Sequence, residues 1–266
     1  MPTLLGMVLN TAEQAGARLD GWKVIIGGSA LTAGLVRRAG ALGADVRAAY
    51  GMSETCPLLT CVLLPPELQK DGVETDGLRI MTGRTIPLVE LDIVDAEGHS
   101  LPRDGRTSGE LVVRAPWLTQ GYFGDPEAGE ALWSGGWLHT GDVATLDGDG
   151  WLMIRDRLKD VIKSGGEWIS SLALENRLSR HPQVTECAVI GIPDPKWGER
   201  PLAFVVAPQA GEDLDTELRA LLEEGVAAGE LPAWGLPDTI ARVEQLPKTS
   251  VGKLDKKRLR EQPSQP

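Results

Sequence analysis

Leu4, Leu5, Val8, Leu9, Ala12 and Ala15 recur three and four residues apart, the spacing of one helix face. Trp22–Ile26 (WKVII) is then a short apolar run, which predicts a buried strand. Gly27-Gly28-Ser29 breaks it, Leu31–Leu42 returns to helical spacing, and Asp45–Ala49 predicts a second strand. A strand–turn–helix–strand unit favours a parallel α/β sheet. The punctuation then changes. Leu88–Val94 and Glu110–Arg114 predict strands separated by the polar stretch AEGHSLPRDGRTSG, and Val143–Leu146 and Trp151–Ile154 flank the hairpin signal Asp147-Gly148-Asp149-Gly150. Short strands with Gly-rich turns point to a β-barrel-like or distorted sheet. Past Arg155-Asp156-Arg157, Ser171–Arg180 predicts a helix capped by Ser171. Glu186–Ile192 and Leu202–Val206 predict strands, Asp215–Gly225 a helix carrying Leu218, Leu221 and Leu222, and Thr239–Val243 a strand. The expected fold is α/β plus a β-barrel-like subdomain, followed by a small α+β C-terminal domain. The expected division is 1–158 and 159–266.

Composition narrows the function classes. The 266 residues carry 27 Lys plus Arg against 38 Asp plus Glu, a formal charge of −11. An acidic chain is a poor general nucleic-acid binder, because phosphate binding needs clustered cations. One basic stretch departs from this: Lys248 to Arg260 holds six basic residues against the single acid Asp255. No apolar run approaches the roughly 18–20 residues that cross a bilayer, and Met1–Leu19 lacks the basic start and cleavage site of a signal peptide. The three cysteines, Cys56, Cys61 and Cys187, fit a reducing compartment, and a cytoplasmic location is expected. They lack metal spacing and are expected to be buried, inert thiols.

Several short segments could carry chemistry. The turn Gly28-Ser29-Ala30 after an apolar strand lets a flat ligand approach the backbone. A tight strand–helix turn without a ligand has the same pattern. Tyr50-Gly51-Met52-Ser53-Glu54-Thr55 ends the next strand. Its ring could stack on a base, the hydroxyls of Ser53 and Thr55 could meet phosphate, and Glu54 could hold Mg²⁺, which prefers oxygen ligands. It could equally be a polar strand end. In Trp137-Leu138-His139-Thr140-Gly141-Asp142, a carboxylate past a glycine turn could take a ribose diol, or make an Asx-type turn. No Ser or Cys motif pairs with His139. Arg155–Asp160 alternates charge before Lys163-Ser164-Gly165-Gly166-Glu167-Trp168. Lys253, in Leu246-Pro247-Lys248-Thr249-Ser250-Val251-Gly252-Lys253, could clamp phosphate or developing negative charge, or belong to a basic surface tail.

In this order, YGMSET, WLHTGD, RDRLKDVIKSGGEWIS and LPKTSVGKLDKKRLR resemble successive core motifs of the adenylate-forming superfamily, from about Val24 to Arg260. DRLKDVIKSGGEWIS with PKTSVGK looks most like fatty-acyl-CoA synthetases, particularly the medium-chain group. The resemblance implies two half-reactions. A carboxylate attacks the α-phosphate of ATP to give acyl-AMP and pyrophosphate, and the thiol of coenzyme A then displaces AMP. It further implies that Gly28, Ser29 and Ala30 line the adenine and acyl pockets, and that Tyr50 stacks on adenine within the Tyr50-Gly51-Met52 nucleotide segment. Ser53 would contact phosphate and Glu54 Mg²⁺. Asp142 and Arg157 would hold the ribose, and Lys163 and Trp168 would contact nucleotide. Lys159 would be a hinge, Gly165 and Gly166 would leave room for the pantetheine arm, and Lys253 would be the adenylation lysine.

One departure stands out: no Ser/Thr/Gly-rich run of the type TSGTTGxPKG is present, and no GxxxxGK[ST] replaces it. The expectation is therefore the C-terminal part of a longer synthetase, inactive in adenylation alone. Its residues 1–130 in isolation would tend to self-associate through exposed apolar surface and open strand edges, as a homo-oligomer or as an aggregate. An adenylation domain serving a carrier protein, and a non-catalytic nucleotide- or CoA-binding module, are the alternatives.

Overall fold

A computed structural model describes residues 1–65, 68, 75–249 and 254–261. The chain divides into two compact units, Met1–Ile154 and Arg155–Pro266.

In the first unit, α1 (Pro2–Ala15) buries Leu5, Leu9 and Ala12 and leaves Leu4, Met7 and Val8 exposed. The strand β1 (Lys23–Ile26) leads to α2 (Ala33–Ala41), whose N-terminus is capped by the Thr32 hydroxyl accepting from Leu35 N. Next, β2 (Asp45–Tyr50) pairs in parallel with β1, Val24 opposite Val46. The parallel expectation holds only there. The strands β3 (Thr60–Cys61) and β4 (Arg84–Thr85) add antiparallel neighbours in the order β1-β2-β3-β4. The segment 51–59 between β2 and β3 is too short for a parallel crossover, which needs about a dozen residues or more. Leu5, Leu9, Val36, Ala39, Val46 and Val62 form the core under this sheet. A short helix, α3 (Asp76–Arg79), brings Arg79 to Asp45, which also takes Arg47 at 2.5 Å. Burial pushes the Asp45 carboxyl up, but the hydrogen bonds and charges of the two arginines outweigh it and hold the group below its ordinary value.

The second sheet contains β5 (Glu90–Val94), β6 (Ser108–Arg114), β7 (Trp133–Ser134), β8 (Trp137–Leu146) and β9 (Leu152–Arg157), in the order β5-β6-β8-β7 with β9 on β8. The helix α4 (Pro126–Leu132), capped by Asp125, precedes β7. Leu91, Ile93, Leu111, Leu138, Leu146 and Leu152 fill its core. The Asp147–Gly150 hairpin is present, and the Asp147 carboxylate closes it by accepting from Asp149 N at 3.0 Å and Trp151 N at 2.8 Å. The run WLHTGD is not a loop before a strand: β8 begins at Trp137 and carries the segment as a bulge.

The second unit is a five-stranded sheet with both faces covered. Its strands are β10 (Ile162–Ser164), β11 (Glu167–Ile169), β12 (Glu186–Asp194), β13 (Gly198–Val206) and β14 (Thr239–Arg242), in the order β11-β10-β13-β12 with β14 parallel to β13. Side chains alternate across a strand. Val189 therefore packs with Leu174 and Leu178 of α5 (Ser171–Leu178) and Leu218 and Leu222 of α6 (Leu214–Ala227). Ala188 and Ile190 pack instead with Leu246 and with Leu259 of α7 (Lys256–Glu261). The cap of α5 is Ser170, whose hydroxyl accepts from Ala173 N at 3.0 Å, not Ser171. Ser171 is the first helical residue and donates its N–H and hydroxyl to buried Asp156, at 2.5 and 2.8 Å. The carboxylate of Asp156, supplied by β9, moves the cap back by one. The cysteines also divide: Cys61 is buried, Cys187 is partly so, but Cys56 is exposed on a turn.

Candidate functional site

The parallel pairing of β1 and β2 sets Ile26 beside Ala48, so Gly27–Ala30 and Tyr50–Thr55 leave the sheet at the same edge. The C-terminal edge of parallel strands is where open α/β sheets bind ligands. Gly28, Ser29 and Ala30 are exposed there. After Tyr50 the chain doubles back. A Cβ on Gly51 would lie 1.6 Å from the Pro57 carbonyl oxygen and 2.6 Å from its carbon. Only glycine lets those two backbones pass. Met52 leads into the short 3-10 turn Ser53–Thr55. Thr55 does not face a ligand. It is fully buried, its hydroxyl accepts from Met52 N at 2.9 Å, and the carbonyl oxygens of Met52 and Pro57 lie 3.0 Å away. Ser53 stays exposed at the start of the turn and Glu54 is half-buried. Leu59, which follows the turn, is wholly buried in the core of the second sheet.

Three hydrogen bonds join this segment to β8 and to the loop after β6. Tyr50 donates its hydroxyl to Asp142 Oδ2 at 2.5 Å, across 92 residues. Tyr122 donates to Glu54 Oε1 at 2.8 Å, and Thr119 N donates to the Glu54 carbonyl at 3.0 Å. The Glu54 carboxylate raises the Tyr122 hydroxyl above its ordinary value. Asp142 is 1 % exposed and leaves the bulge of β8. There Gly141 adopts φ 66°, the left-handed region that glycine enters at least cost. The resulting constellation is an aromatic ring and two carboxylates at one strand edge. It can take a flat base and a diol by stacking and hydrogen bonding, and a hard cation at Glu54. Tyr122 was missed in the sequence, where a lone tyrosine among Gly and Asp carries no signal.

The remaining candidates belong to the second unit. Arg157 opens a tight turn: its carbonyl accepts from Asp160 N and Val161 N, both at 2.8 Å, and its own N–H donates to Asp156 Oδ1 at 2.8 Å. Lys159 is exposed within that turn. Lys163 and Trp168 are cross-strand partners on β10 and β11, joined through Gly165 and Gly166 with φ 62° and 88°. Both side chains are exposed. Sequence reasoning missed Trp197, whose ring carbon lies 3.1 Å from where a Gly165 Cβ would be and whose carbonyl accepts from Gly165 N at 2.8 Å. The Lys196 ammonium lies 4.5 Å from its ring centroid. Lys253 falls outside the described residues, as does the tail 262–266.

Residues 1–123 match the family of AMP-binding enzymes, and residues 173–253 match the AMP-binding enzyme C-terminal domain. A long-chain-fatty-acid–CoA ligase of Thermus thermophilus is 43% identical over 266 residues, covering 98% of this chain and 48% of the relative. A medium-chain-fatty-acid–CoA ligase of Ectopseudomonas oleovorans is 42% identical over 242 residues, covering 90% of this chain and 43% of the relative. The solved structure of O-succinylbenzoate coenzyme A synthetase from Bacillus subtilis, in complex with ATP and magnesium ion, aligns with a TM-score of 0.77 at 29% identity over 98% of this chain and 49% of that one. The chain thus spans about half the length of the curated relatives it matches. Both family regions lie in one polypeptide, in the order and on the fold that its motifs led one to expect, and the chain belongs to the AMP-binding, adenylate-forming enzyme family.

Proposed function

We propose that this chain is part of an ATP-dependent acyl-CoA ligase that activates a medium- or long-chain fatty acid as acyl-AMP and passes it to coenzyme A. The observation that carries the reading is the Tyr50–Asp142 hydrogen bond. It ties YGMSET to WLHTGD at the C-terminal edge of a parallel strand pair.

In this reading Gly28, Ser29 and Ala30 border the adenine and acyl groups, and Tyr50 stacks on adenine. Its hydroxyl is held by Asp142, so the ring is oriented before ligand arrives. Asp142 and Arg157 take the ribose hydroxyls, Arg157 with a rigid fork of donors. Gly51 and Met52 shape the nucleotide segment and Ser53 meets the phosphate. Glu54 fits a magnesium ion, being a half-buried carboxylate oriented by the Tyr122 hydroxyl. The ion, when bound, would offset phosphate charge. Nucleotidyl transfer depends on positioning and charge compensation, and Lys253 would supply the second on the reacting carboxylate and α-phosphate. With Lys159 as the hinge between 1–158 and 159–266, adenylation becomes conditional on closure. Lys163 and Trp168 would contact nucleotide, and Gly165 and Gly166 would pass the pantetheine arm. These 266 residues hold no Ser/Thr/Gly-rich phosphate run, and the reading is that by themselves they form no acyl-adenylate.

The test is mass-spectrometric detection of ATP- and fatty-acid-dependent acyl-CoA made by the natural gene product containing this sequence. Asp142→Asn should raise the KM for ATP, and Lys253→Ala should abolish pyrophosphate exchange. A product without thioester formation from any fatty acid, or a Lys253→Ala variant with unchanged exchange, overturns the reading.

A further inference from the structure

The bulge that presents Asp142 is pinned by Glu110, which no motif above includes, together with His139 of WLHTGD. Glu110 on β6 stands opposite Val143, and Val112 stands opposite His139. Leu111 alone on β6 therefore faces the three residues Thr140–Asp142 of β8, which have lost their regular ladder pairing. Side chains take over. Glu110 Oε1 accepts from Gly141 N at 3.2 Å, and Glu110 Oε2 lies 2.9 Å from His139 Nδ1. The Thr140 hydroxyl donates to the Leu111 carbonyl at 2.7 Å and accepts from Asp142 N at 3.1 Å. Both members of the pair are largely buried, with side chains 18% and 25% exposed. One carboxylate thus grips a backbone N–H directly before Asp142 and the ring two residues before that.

We propose that Glu110 is a positioning residue for the nucleotide: through Gly141 N–H and His139 it holds the bulge in the one conformation that aims the Asp142 carboxylate at a ribose diol and at Tyr50. The inference rests on the nucleotide reading of Asp142 given above. Glu110 itself touches no substrate. Its loss releases the bulge, because the partly buried Gly141 N–H left without its acceptor seeks another arrangement. The regular alternative, continued β-ladder pairing, would turn Asp142 away from Tyr50.

The experiment is steady-state kinetics of the natural gene product, with ATP, fatty acid and coenzyme A each varied, for Glu110→Ala, Glu110→Gln and Asp142→Asn. Losing a hydrogen bond to a charged group corresponds to roughly tenfold or more. Glu110→Ala is expected to raise the KM for ATP by that factor while changing the other two KM values less than about twofold. Glu110→Gln keeps one acceptor oxygen for either Gly141 N–H or His139, and should fall between wild type and Ala. Hydrogen exchange of the Gly141 amide in the same variants reads the bulge directly and applies even where Ala lowers yield. It should quicken in the order wild type, Gln, Ala. If Asp142→Asn leaves the KM for ATP unchanged, the nucleotide reading itself fails. If Asp142→Asn raises it but Glu110→Ala and Glu110→Gln do not, the positioning role is wrong. Equal rises in all three KM values with a lower Tm would show a merely structural residue and overturn it as well.

Discussion

Replacing Lys256 by methionine isolates one buried charge. The Lys256 ammonium lies 2.6 Å from Glu175 Oε1 and 2.6 Å from the Ser171 hydroxyl, and the Lys256 and Glu175 side chains are 12% and 13% exposed. Glu175 Oε1 also accepts from Val189 N at 2.8 Å. Removing one partner of a buried pair leaves an uncompensated charge, at a cost of about 3–5 kcal/mol. The cost must depend on pH. Burial pushes the Glu175 carboxyl above its ordinary value, and Lys256 pulls it part of the way back. A group whose folded pKa exceeds its unfolded one contributes its full stability below the unfolded pKa and loses it as pH rises through the folded pKa. Lys256→Met removes the pull, raises the folded pKa further and widens that window. We expect a deficit of about 3 kcal/mol at pH 8 that is smaller at pH 5, because the upward shift of the Glu175 carboxyl lets falling pH neutralise the uncompensated charge. Urea titrations at each pH, probed with brief deuterium pulses and mass spectrometry of α5 and β12 peptides, report this unit separately from the first. Adding Glu175→Gln should recover most of the loss at pH 8, because the amide oxygen still serves Val189 N. Equal deficits at both pH values, or a neutral Lys256→Met at pH 8, would refute the argument that this pair is desolvated.

Gly51→Ala places a Cβ 1.6 Å from the Pro57 carbonyl oxygen, so the turn must open. The cost should reach about 3 kcal/mol, the upper end for overpacking, and appear as a lower Tm in a fluorescence melt; an unchanged Tm would mean that the two backbones are not in contact. The cysteines should separate under iodoacetamide at pH 8. Exposed Cys56 should label in the native chain, while Cys187, whose thiol is pushed up to about 12 chiefly by burial, should stay unlabelled until urea unfolds the chain. Native labelling of both at one rate would contradict the burial of Cys187.

Much of the molecule follows from local pattern. The helical spacing of Leu5, Leu9 and Ala12 places α1, and the apolar run before Gly27 places β1. Asp147-Gly148-Asp149-Gly150 places the β8–β9 hairpin, because its carboxylate closes on amides two and four residues away. The ordered strings from YGMSET to LPKTSVGK carry the family in the same local way. What escaped the sequence depends on partners far along the chain. Ser170 rather than Ser171 caps α5 because Asp156 takes the Ser171 N–H and hydroxyl. WLHTGD lies inside a strand because Glu110, 31 residues before Gly141, accepts the N–H that a bulge would otherwise strand. Tyr50 meets Asp142 across 92 residues, and Trp197 covers Gly165 from the turn between β12 and β13. Periodicity records which face of an element is apolar, a property of neighbours in sequence. A buried N–H or carboxylate is satisfied by whatever the folded sheet brings to it, and that partner exists only once the strands have paired.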